Sequence, residues 1–436
     1  MKTHTAPAGQ RHACVIGAGI VGAATAQALA ERGWRVTLVD AQPQAGRGES
    51  LGNGAQLSYS YVEPLATPDA LKNLPKWLLS PTSPLRWRPQ PRLGHARWLS
   101  EFIAACQWPT VRRTSEQLLA LAAESRHTLH RWLAAQPGRA EATRHTRPGK
   151  LVIYRKPEAL AGVQRQIDWQ RAWGCEQAIV GADEVKRLEP ALAATGGGPI
   201  AFGVWTASEE VIDAARLAVL LAESSGATLR LGQRVTALQR DASGRVVACL
   251  LAPADAAAGQ AAERLEADAF VLAAGPATLQ LLRPLGGRPP IEPIKGYSVS
   301  LPIVDDGAAP RVSITDNGRK LVHARLGDRL RVAGFAELIG MNRELPPRRI
   351  EALCQAVRET FPGACRFDDV QPWTGLRPAT PSGRPQVGPT RWPGLWLNAG
   401  HGALGLTLAC GSASLLADLM AGETPPLNPE PFRVTA

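Results

Sequence analysis

The pattern of apolar positions begins with a buried strand, a turn and a helix. Residues 13–17 read ACVIG, a short apolar run; the small-residue stretch GAATAQALAERG and a second apolar run, RVTLVD, follow it. A strand, a helix and a strand within about 30 residues are typical of a βαβ unit, which starts a parallel sheet. The pattern therefore predicts an α/β domain at the beginning of the chain.

Later stretches continue the alternation of helices and strands. Leucines between Ser115 and Leu133 recur at helical spacing, which predicts one amphipathic helix. Residues 211–241 predict a helix followed by two strands, and residues 267–278, ADAFVLAAGPAT, a buried strand that ends in small residues. The low-complexity stretch APADAAAGQAAERLEA, residues 252–267, predicts a solvent-exposed loop. The whole chain is expected to be α/β, with α+β character in its second domain.

Composition limits the classes of function. At 436 residues, with 45% apolar and 20% charged residues, the chain has the balance of an ordinary globular protein. The net charge of +11 comes from arginines scattered along the chain. Because no zinc finger, RNP motif or basic helix accompanies this charge, nucleic acid is not expected as a partner.

Cysteine usage and hydropathy indicate a location. The seven cysteines lie far apart and form no CxxC pair, which is typical of buried thiols in a reducing compartment. No run of eighteen apolar residues occurs, and the first residues lack the apolar centre of a secretory signal. A cytoplasmic protein is expected, with at most peripheral contact to the cytoplasmic face of the inner membrane.

A glycine-rich loop joins the first strand to the first helix. In a GxGxxG loop the first glycine permits a tight turn, the second lets a pyrophosphate approach, and the third lets the helix pack closely on the strand. Asp40 ends the second strand, where a carboxylate can accept hydrogen bonds from an adenosine ribose. The loop predicts an adenine dinucleotide, and Asp40 disfavours one with a 2′-phosphate; FAD and NAD stay open here. The predicted contacts are Gly17, Gly19, Ile20, Val21, Gly22 and Asp40.

Two later stretches favour FAD. RVTALQRD, residues 234–241, resembles the strand of two-dinucleotide-fold flavoproteins whose backbone, at the position of Val235, holds the adenine. FVLAAGPAT, residues 270–278, resembles their Ala-Thr-Gly stretch, in which Ala274 and Gly275 pass close to the cofactor. Together and in this order, the two stretches favour FAD over NAD.

The C-terminal third carries the most specific resemblance. PIKGYSVSLPI (293–303), PWTGLRPATPSGRPQVG (372–388) and LWLNAGHGALGLTLACGSASLLADLMAG (395–422) resemble the D-amino acid dehydrogenase small-subunit family. That family belongs to the FAD-dependent D-amino acid oxidase-like superfamily. GNGAQLSYSY, residues 52–61, resembles the family's Asn-Ala-Gly-Gln segment, with Asn53 and Gln56 matching. The likeness runs from about Cys14 to Gly422.

The resemblance implies a fold and a reaction. The fold is a Rossmann-like FAD-binding domain (residues 10–90, 207–290 and 372–425) with an inserted, antiparallel-sheet substrate domain (residues 91–206 and 291–371). The reaction is oxidation of a D-amino acid by hydride transfer from Cα to N5 of non-covalent FAD, which yields a 2-oxo acid and ammonia. Electrons would pass to a quinone or another respiratory acceptor, and no metal is needed.

Three residues are candidates for catalysis. Arg377 matches the arginine of the family's Gly-Leu-Arg-Pro stretch, and its guanidinium can bind a substrate carboxylate through two parallel hydrogen bonds. Tyr297 could cover the substrate or bond its carboxylate. His401 is expected first to contact the flavin and only second to act in acid–base chemistry. The glycine-rich loop around it is expected to approach flavin N1 and O2 through Gly400, His401, Gly402, Leu404 and Gly405.

The chain departs from the family pattern at four places. Gly54-Ala55 inverts the order Ala-Gly, Ser382 replaces an Asp, Leu406 replaces a Trp, and Ala333 replaces a Gly. Losing the Trp could open the pocket, so the preferred substrate side chain stays open. Two other functions also stay open: a glycine, sarcosine or hydroxyproline dehydrogenase or oxidase, and a non-catalytic flavin-binding component.

A basic and aromatic stretch raises the question of a membrane. Residues 84–113 interleave arginines with Trp87, Trp98 and Trp108, which suits an anionic lipid surface where a quinone could be met. A solvated edge of the substrate domain is the alternative.

Overall fold

Two large sheets organise the chain. The structure is a computed structural model, which describes residues 9–62, 64–72, 85–256 and 262–435. Within these ranges the strands form four sheets, of six, three, nine and two strands. The mixture of a parallel and a mostly antiparallel sheet confirms the predicted fold class.

The six-stranded sheet contains the N-terminal βαβ unit. Its neighbours pair in parallel, except for an antiparallel pair at one edge. The central first strand is buried at every position, as an apolar run covered on both faces of a parallel sheet must be. In spatial order the strands are β19 (Gln386–Pro389), β20 (Leu395–Ala399), β13 (Ala269–Leu272), β1 (His12–Ile16), β2 (Arg35–Asp40) and β9 (Thr228–Leu231).

The nine-stranded sheet is antiparallel apart from two parallel pairs, β5 with β15 and β4 with β17. In spatial order its strands are β18 (Gln371–Ala379), β14 (Glu292–Pro302), β17 (Arg329–Leu338), β16 (Leu321–Leu326), β15 (Ser313–Asp316), β5 (Lys150–Tyr154), β7 (Phe202–Thr206) and β6 (Ala178–Gly181), with β4 (Leu85–Trp87) attached to β17.

Two smaller sheets complete the strands. One contains β10 (Gln233–Arg240), β11 (Val246–Pro253) and β12 (Glu263–Glu266), and the other contains β3 (Gln56–Leu57) and β8 (Glu210–Val211). The loop predicted over residues 252–267 is therefore wrong at its ends, since β12 pairs with β11 there. Residues 257–261 of that stretch lie outside the described ranges.

The helices of the described ranges pack on the sheets and on one another. The last helix is apolar: the window from Gly402 to Ala421 has a mean hydropathy of 1.5 and is long enough to cross a membrane, but 78% of it is buried. It packs against the first and third helices as a core element. The helices are α1 (Ile20–Glu31), α2 (Leu93–Ala105), α3 (Trp108–Ala134), α4 (Arg139–Ala142), α5 (Leu160–Arg171), α6 (Ala182–Leu188), α7 (Ala214–Ser224), α8 (Thr278–Leu282), α9 (Pro347–Thr360) and α10 (Gly405–Ala421).

Two elements pack across the predicted domain boundaries. The boundaries place α3 in the substrate domain, whereas α3 shares a hydrophobic core with α1 and α10 through Leu118, Leu121 and Leu129. They place β18 in the FAD-binding domain, whereas β18 pairs with β14 in the nine-stranded sheet. Apart from these two elements, the division into domains stays a prediction.

Candidate cofactor and substrate site

A cavity of about 1190 Å³ is lined by residues from both large sheets. It brings together the two glycine-rich loops, which are nearly 400 residues apart in the sequence, and the predicted substrate residues. Gly22 and Gly400 are the two predicted residues that do not line it. Those that do are Gly17, Gly19, Ile20, Val21, Asp40, Asn53, Gln56, Val235, Ala274, Gly275, Tyr297, Arg377, His401, Gly402, Leu404 and Gly405.

The three glycines of the first loop meet different constraints. Gly17 has φ +108°, and a Cβ on it would lie 2.5 Å from the carbonyl oxygen of Ala273. A Cβ on Gly22 would lie 1.7 Å from the carbonyl oxygen of Gly17, so this glycine permits the close packing of α1 on β1. The nearest atom to a Cβ on Gly19 would be Ser50 Oγ, at 3.5 Å. The space beside Gly19 is therefore open to a ligand in the cavity.

The N-terminus of α1 faces this loop. The N-cap residue, Gly19, has no side chain that could cap the helix, and the first turn carries no acidic residue. The amide of Ile20 donates to Ser50 Oγ at 2.9 Å. The other first-turn N–H groups have no intrahelical acceptor, and together with the helix dipole they favour an anion. This arrangement fits the pyrophosphate of a dinucleotide.

Asp40 supports the loop with both carboxylate oxygens. Its Oδ2 accepts from the amide of Ala18 at 2.6 Å, and its Oδ1 accepts from the amide of Gln42 at 2.7 Å. Burial raises the pKa of Asp40, and the two amides oppose that shift. Because a carboxylate oxygen can accept more than one hydrogen bond, the predicted contact to a ribose hydroxyl stays sterically and chemically available.

Residues 53–56 form another wall of the cavity. Asn53 Oδ1 accepts from the amide of Ala55 at 2.8 Å, and Gln56 Nε2 donates to the carbonyl of Ile314 at 3.1 Å. Ala55 has φ +63°, in the left-handed region that favours glycine, so the inverted Gly54-Ala55 order leaves an alanine where the family pattern has a glycine. A Cβ on Gly54 would lie 2.8 Å from a methyl group of Val322, which explains why the glycine is needed at position 54 instead.

Arg377 presents a guanidinium that has no acidic partner among the described residues. Its Nη1 donates to the carbonyl of Phe335 at 2.8 Å, and burial lowers its pKa. A Cβ on Gly296 would lie 2.4 Å from Arg377 Nη2, so the glycine of the KGYS stretch makes room for this side chain. A buried cation with unused donors at a cavity wall can bind a carboxylate strongly, because little water competes.

Tyr297 lies in the wall beside Arg377, on β14. Its hydroxyl donates to Glu337 Oε2 at 2.7 Å, and Glu337 also accepts from Arg349 Nε at 2.8 Å. Burial, together with this carboxylate, raises the pKa of Tyr297. The hydroxyl is thus already bound and the side chain is buried in a hydrophobic cluster, and both predicted roles of Tyr297 toward a substrate stay predictions.

His401 is bound from the side of α10. Its Nε2 lies 2.9 Å from Ser412 Oγ, whose hydroxyl donates to the carbonyl of Ala409 at 3.1 Å. Burial lowers the pKa of His401 to about 3. A neutral, hydrogen-bonded ring is a poor general acid, which is consistent with the expected order of the two roles; the flavin contact of His401 stays a prediction. Gly400 does not line the cavity; its φ of +87° sets the turn before His401.

Two cations near the site were not predicted from the sequence: Lys150, which lines the cavity, and Arg331, which does not. Lys150 Nζ donates to Ser58 Oγ at 2.8 Å and lies 4.3 Å from the ring centroid of Tyr61. Arg331 Nη1 donates to the carbonyls of Leu51 and Asn53, both at 3.0 Å, and so holds the segment before Gly54. A charged residue inside a strongly apolar strand, as in GKLVIYR, is the signal that could have identified Lys150.

Arg377 and Lys150 lie on strands that are far apart in the nine-stranded sheet and line different parts of the cavity. Arg377 lies on β18 and Lys150 on β5, the first and sixth strands in spatial order. Five strand spacings correspond to about 24 Å along the sheet. A small amino acid bound at Arg377 therefore does not reach Lys150.

Comparisons with known proteins agree with this geometry. The family model of FAD dependent oxidoreductases, DAO, matches residues 12–419. A protein of Ralstonia nicotianae named D-amino acid dehydrogenase 2 is 45% identical, over 96% of this chain and 98% of its own length. A protein of the same name from Pseudomonas aeruginosa is 42% identical, over 95% of both chains.

A solved structure shows the same fold. Glycine oxidase from Bacillus cereus superposes with a TM-score of 0.72 over 98% of this chain and 99% of that one, at 19% identity. The family match and the relatives give FAD as the dinucleotide that fits the loop, the helix N-terminus and Asp40. The chain belongs to the DAO family of FAD-dependent oxidoreductases.

Proposed function

We propose that this chain oxidises D-amino acids to 2-oxo acids and ammonia and passes the electrons to a respiratory acceptor of the quinone class. The observation that carries the proposal is the guanidinium of Arg377, which lines the dinucleotide cavity without an acidic partner among the described residues. A carboxylate is the group that such a cation binds best. A flavin carrier without catalysis would have no use for it.

The relatives support D-amino acids as the substrate class. Two proteins that are 45% and 42% identical are named D-amino acid dehydrogenase 2. The likeness to glycine oxidase, at 19% identity, concerns the fold. Leu406 lines the cavity where the family pattern has a Trp, and the smaller side chain leaves room for a substrate larger than glycine.

In the proposed mechanism the protein binds, orients and shields the substrate. Arg377 keeps one donor on the carbonyl of Phe335 and offers others to the substrate carboxylate, which fixes the direction of the Cα–H bond. The buried Tyr297 forms part of the cavity wall and helps to exclude water. The loop at Gly17 and the carboxylate of Asp40 would hold FAD, which would supply a two-electron hydride acceptor beside the substrate. Water then hydrolyses the imino acid, and no protein base is assigned.

Substitution of Arg377 tests the proposal. In Arg377→Met we expect kcat/KM for a D-amino acid to fall about 100-fold or more, because a buried charge pair loses one member. Arg377→Lys keeps the charge but loses the paired hydrogen bonds, so its kcat/KM should lie between those of the wild type and of Arg377→Met. The measurement is dye-coupled steady-state kinetics, with the flavin content determined from absorbance.

A matched control lies on the same segment. Arg384 donates to Gln117 Oε1 at 3.0 Å and does not line the cavity, so Arg384→Met should keep kcat/KM near that of the wild type. If Arg377→Met kept full activity, or lost its flavin, the role of Arg377 in substrate binding would be wrong.

We further infer that the edge formed by α2 and the start of α3 meets an anionic membrane that supplies the acceptor. Leu93, Ile103 and Trp108 are exposed there, and Trp108 also lines the cavity. Trp98, by contrast, is buried and donates to the carbonyl of Ala379 at 2.8 Å, so it cannot insert into lipid. The basic and aromatic stretch predicted from the sequence covers residues 84–113, and its first residue lies outside the described ranges.

Sedimentation with vesicles tests this surface. The protein should bind vesicles that contain phosphatidylglycerol at low salt and release them at high salt, because arginines supply part of the attraction. Trp108→Ser should weaken binding, whereas Trp173→Ser, an equally exposed tryptophan after α5, should not. Absence of binding at low salt would contradict the inference.

A further inference from the structure

Away from the cavity, three side chains of metal-ligand type meet at one point. His130 Nε2 lies 2.7 Å from Glu210 Oε1, and His145 Nε2 lies 2.9 Å from Glu210 Oε2. The three ligand atoms lie within 4.8 Å of one another. None of these residues lines the cavity. The group therefore needs an explanation other than the proposed oxidation.

The three residues come from separate parts of the fold and are held firmly. His130 lies on α3, and the amide of His145 donates to the carbonyl of Ala140 at 2.8 Å in the turn after α4. Glu210 lies on β8, opposite Leu57 of β3, and its side chain is fully buried. A set of ligands fixed by three different segments is already organised before any ion arrives.

We propose that His130, His145 and Glu210 bind one divalent transition-metal ion of the zinc type. Two imidazole nitrogens and one carboxylate oxygen are a usual donor set for such ions, with water in the fourth position. Bonds of about 2.1 Å in a tetrahedron separate the donor atoms by about 3.4 Å. To reach that geometry, the two His–Glu separations of 2.7 and 2.9 Å would open by about 0.5–0.7 Å, and any pair near the 4.8 Å limit would close by up to about 1.4 Å.

Two neighbouring arginines oppose a cation. Arg126, whose guanidinium carbon lies 5.5 Å from the ring centroid of Tyr59, disfavours positive charge at His130. Arg147 Nε lies 3.4 Å from Glu210 Oε1, but the Arg147 side chain is 62% exposed and can turn into water. His130 is also partly exposed, so the ion and its water enter from this side. Tyr59, whose hydroxyl donates to Glu210 Oε2 at 3.3 Å, supports the carboxylate from the buried side.

The ion would join α3 to the strand pair β3–β8, which lies next to the cavity. Glu210 pairs with Leu57, and the residues on either side of Leu57, Gln56 and Ser58, both line the cavity. The site is thus a structural clamp, separate from the reacting groups. We expect zinc to raise the melting temperature by several degrees, because it binds the folded chain preferentially.

Titration of the chelator-treated, FAD-loaded protein tests the proposal. With Zn²⁺ we expect calorimetry to give one site per chain in the micromolar range or tighter, and with Co²⁺ the visible bands of a four-coordinate ion. His130→Gln should keep a hydrogen bond to Glu210, because the amide replaces Nε2–H, but lower metal affinity about 100-fold. Arg147→Gln should raise the affinity several-fold, since it removes a like charge.

His127 supplies the control, because it is an exposed histidine on the same helix. His127→Ala should bind zinc as the wild type does. A wild-type protein that binds no stoichiometric ion would overturn the proposal and leave the group as a hydrogen-bonded structural cluster. So would a well-folded His130→Gln that binds zinc unchanged, since the ion would then lie elsewhere.

Discussion

Lys150 is a buried lysine whose charge is costly to the folded state. It is 2% exposed, and burial lowers its pKa to about 8, while the nearby charge of Glu209 opposes that shift. Glu209 Oε2 has no hydrogen-bond partner among the described residues. The pair is thus only partly compensated, which is unusual away from a binding site.

The lowered pKa predicts a pH dependence of stability. Between pH 8 and the ordinary value of 10.5, the unfolded chain holds a proton on Lys150 that the folded chain has released. The free energy of unfolding should therefore rise with pH in this window, by up to about 1.4 kcal/mol per pH unit from this group. Urea unfolding of the wild type and Lys150→Met at pH 7.5, 8.5 and 9.5 measures how the difference between their free energies of unfolding changes with pH.

The exposed Lys186 supplies the control for this experiment. The free energy of unfolding of Lys186→Met should differ from that of the wild type by the same amount at every pH. If the difference between the wild type and Lys150→Met did not change with pH, the lysine would be charged throughout and the account of its burial would be wrong.

At the residue scale, the sequence predicted those cavity residues that belong to a short local motif. Gly17, Asp40 and Arg377 lie in stretches that carry their own spacing, and all three line the cavity. The hydroxyl of Tyr297 was harder to assign, because its partner, Glu337, is 40 residues away and meets it only through the pairing of β14 with β17.

At the scale of elements, α10 and α3 cross at an unusually close distance. Gly411 makes this possible, because a Cβ on it would lie 2.6 Å from the carbonyl oxygen of Leu121 and 2.8 Å from the amide nitrogen of Ser125. Helix propensity alone predicts that alanine would stabilise α10 by up to about 1 kcal/mol. The overlap with backbone atoms predicts the opposite sign.

We expect Gly411→Ala to lower the free energy of unfolding by about 1–3 kcal/mol, because packed backbone atoms must move apart. The matched change is Gly162→Ala on α5, where a Cβ would meet only the end of Arg165 at 3.9 Å. There propensity should dominate and the protein should gain up to about 1 kcal/mol. Thermal or urea unfolding measures both, and a stabilised Gly411→Ala would contradict the close crossing.

The elements also show which features of the fold sequence periodicity does not predict. Periodicity predicted β1, α1, β2 and the helical character of α3, because each follows from the spacing of its own apolar residues. The pattern did not predict that α3 packs on α10 or that β18 joins β14, since those choices depend on partners far along the chain. β12 was missed because four residues in a biased stretch give too short a signal.

At the scale of the whole molecule, the chain closes a cavity between its two ends. The loop at Gly17 and the loop at Gly402 both line it, and β18 carries Arg377 along the same wall. Residues from near both ends can therefore meet around one ligand, as the predicted discontinuous dinucleotide-binding domain requires; the division into domains itself stays a prediction. The resemblance of the C-terminal motifs made this arrangement predictable; periodicity alone did not.

The central claim is that bound FAD is reduced by D-amino acids held at Arg377. The most direct measurement mixes the FAD-loaded protein anaerobically with matched D- and L-amino acids, glycine and sarcosine, and follows the flavin absorbance. We predict rapid bleaching by D-enantiomers and little or none by the other compounds. Failure of every D-amino acid to bleach the flavin, or faster bleaching by an L-amino acid, glycine or sarcosine, would contradict the account.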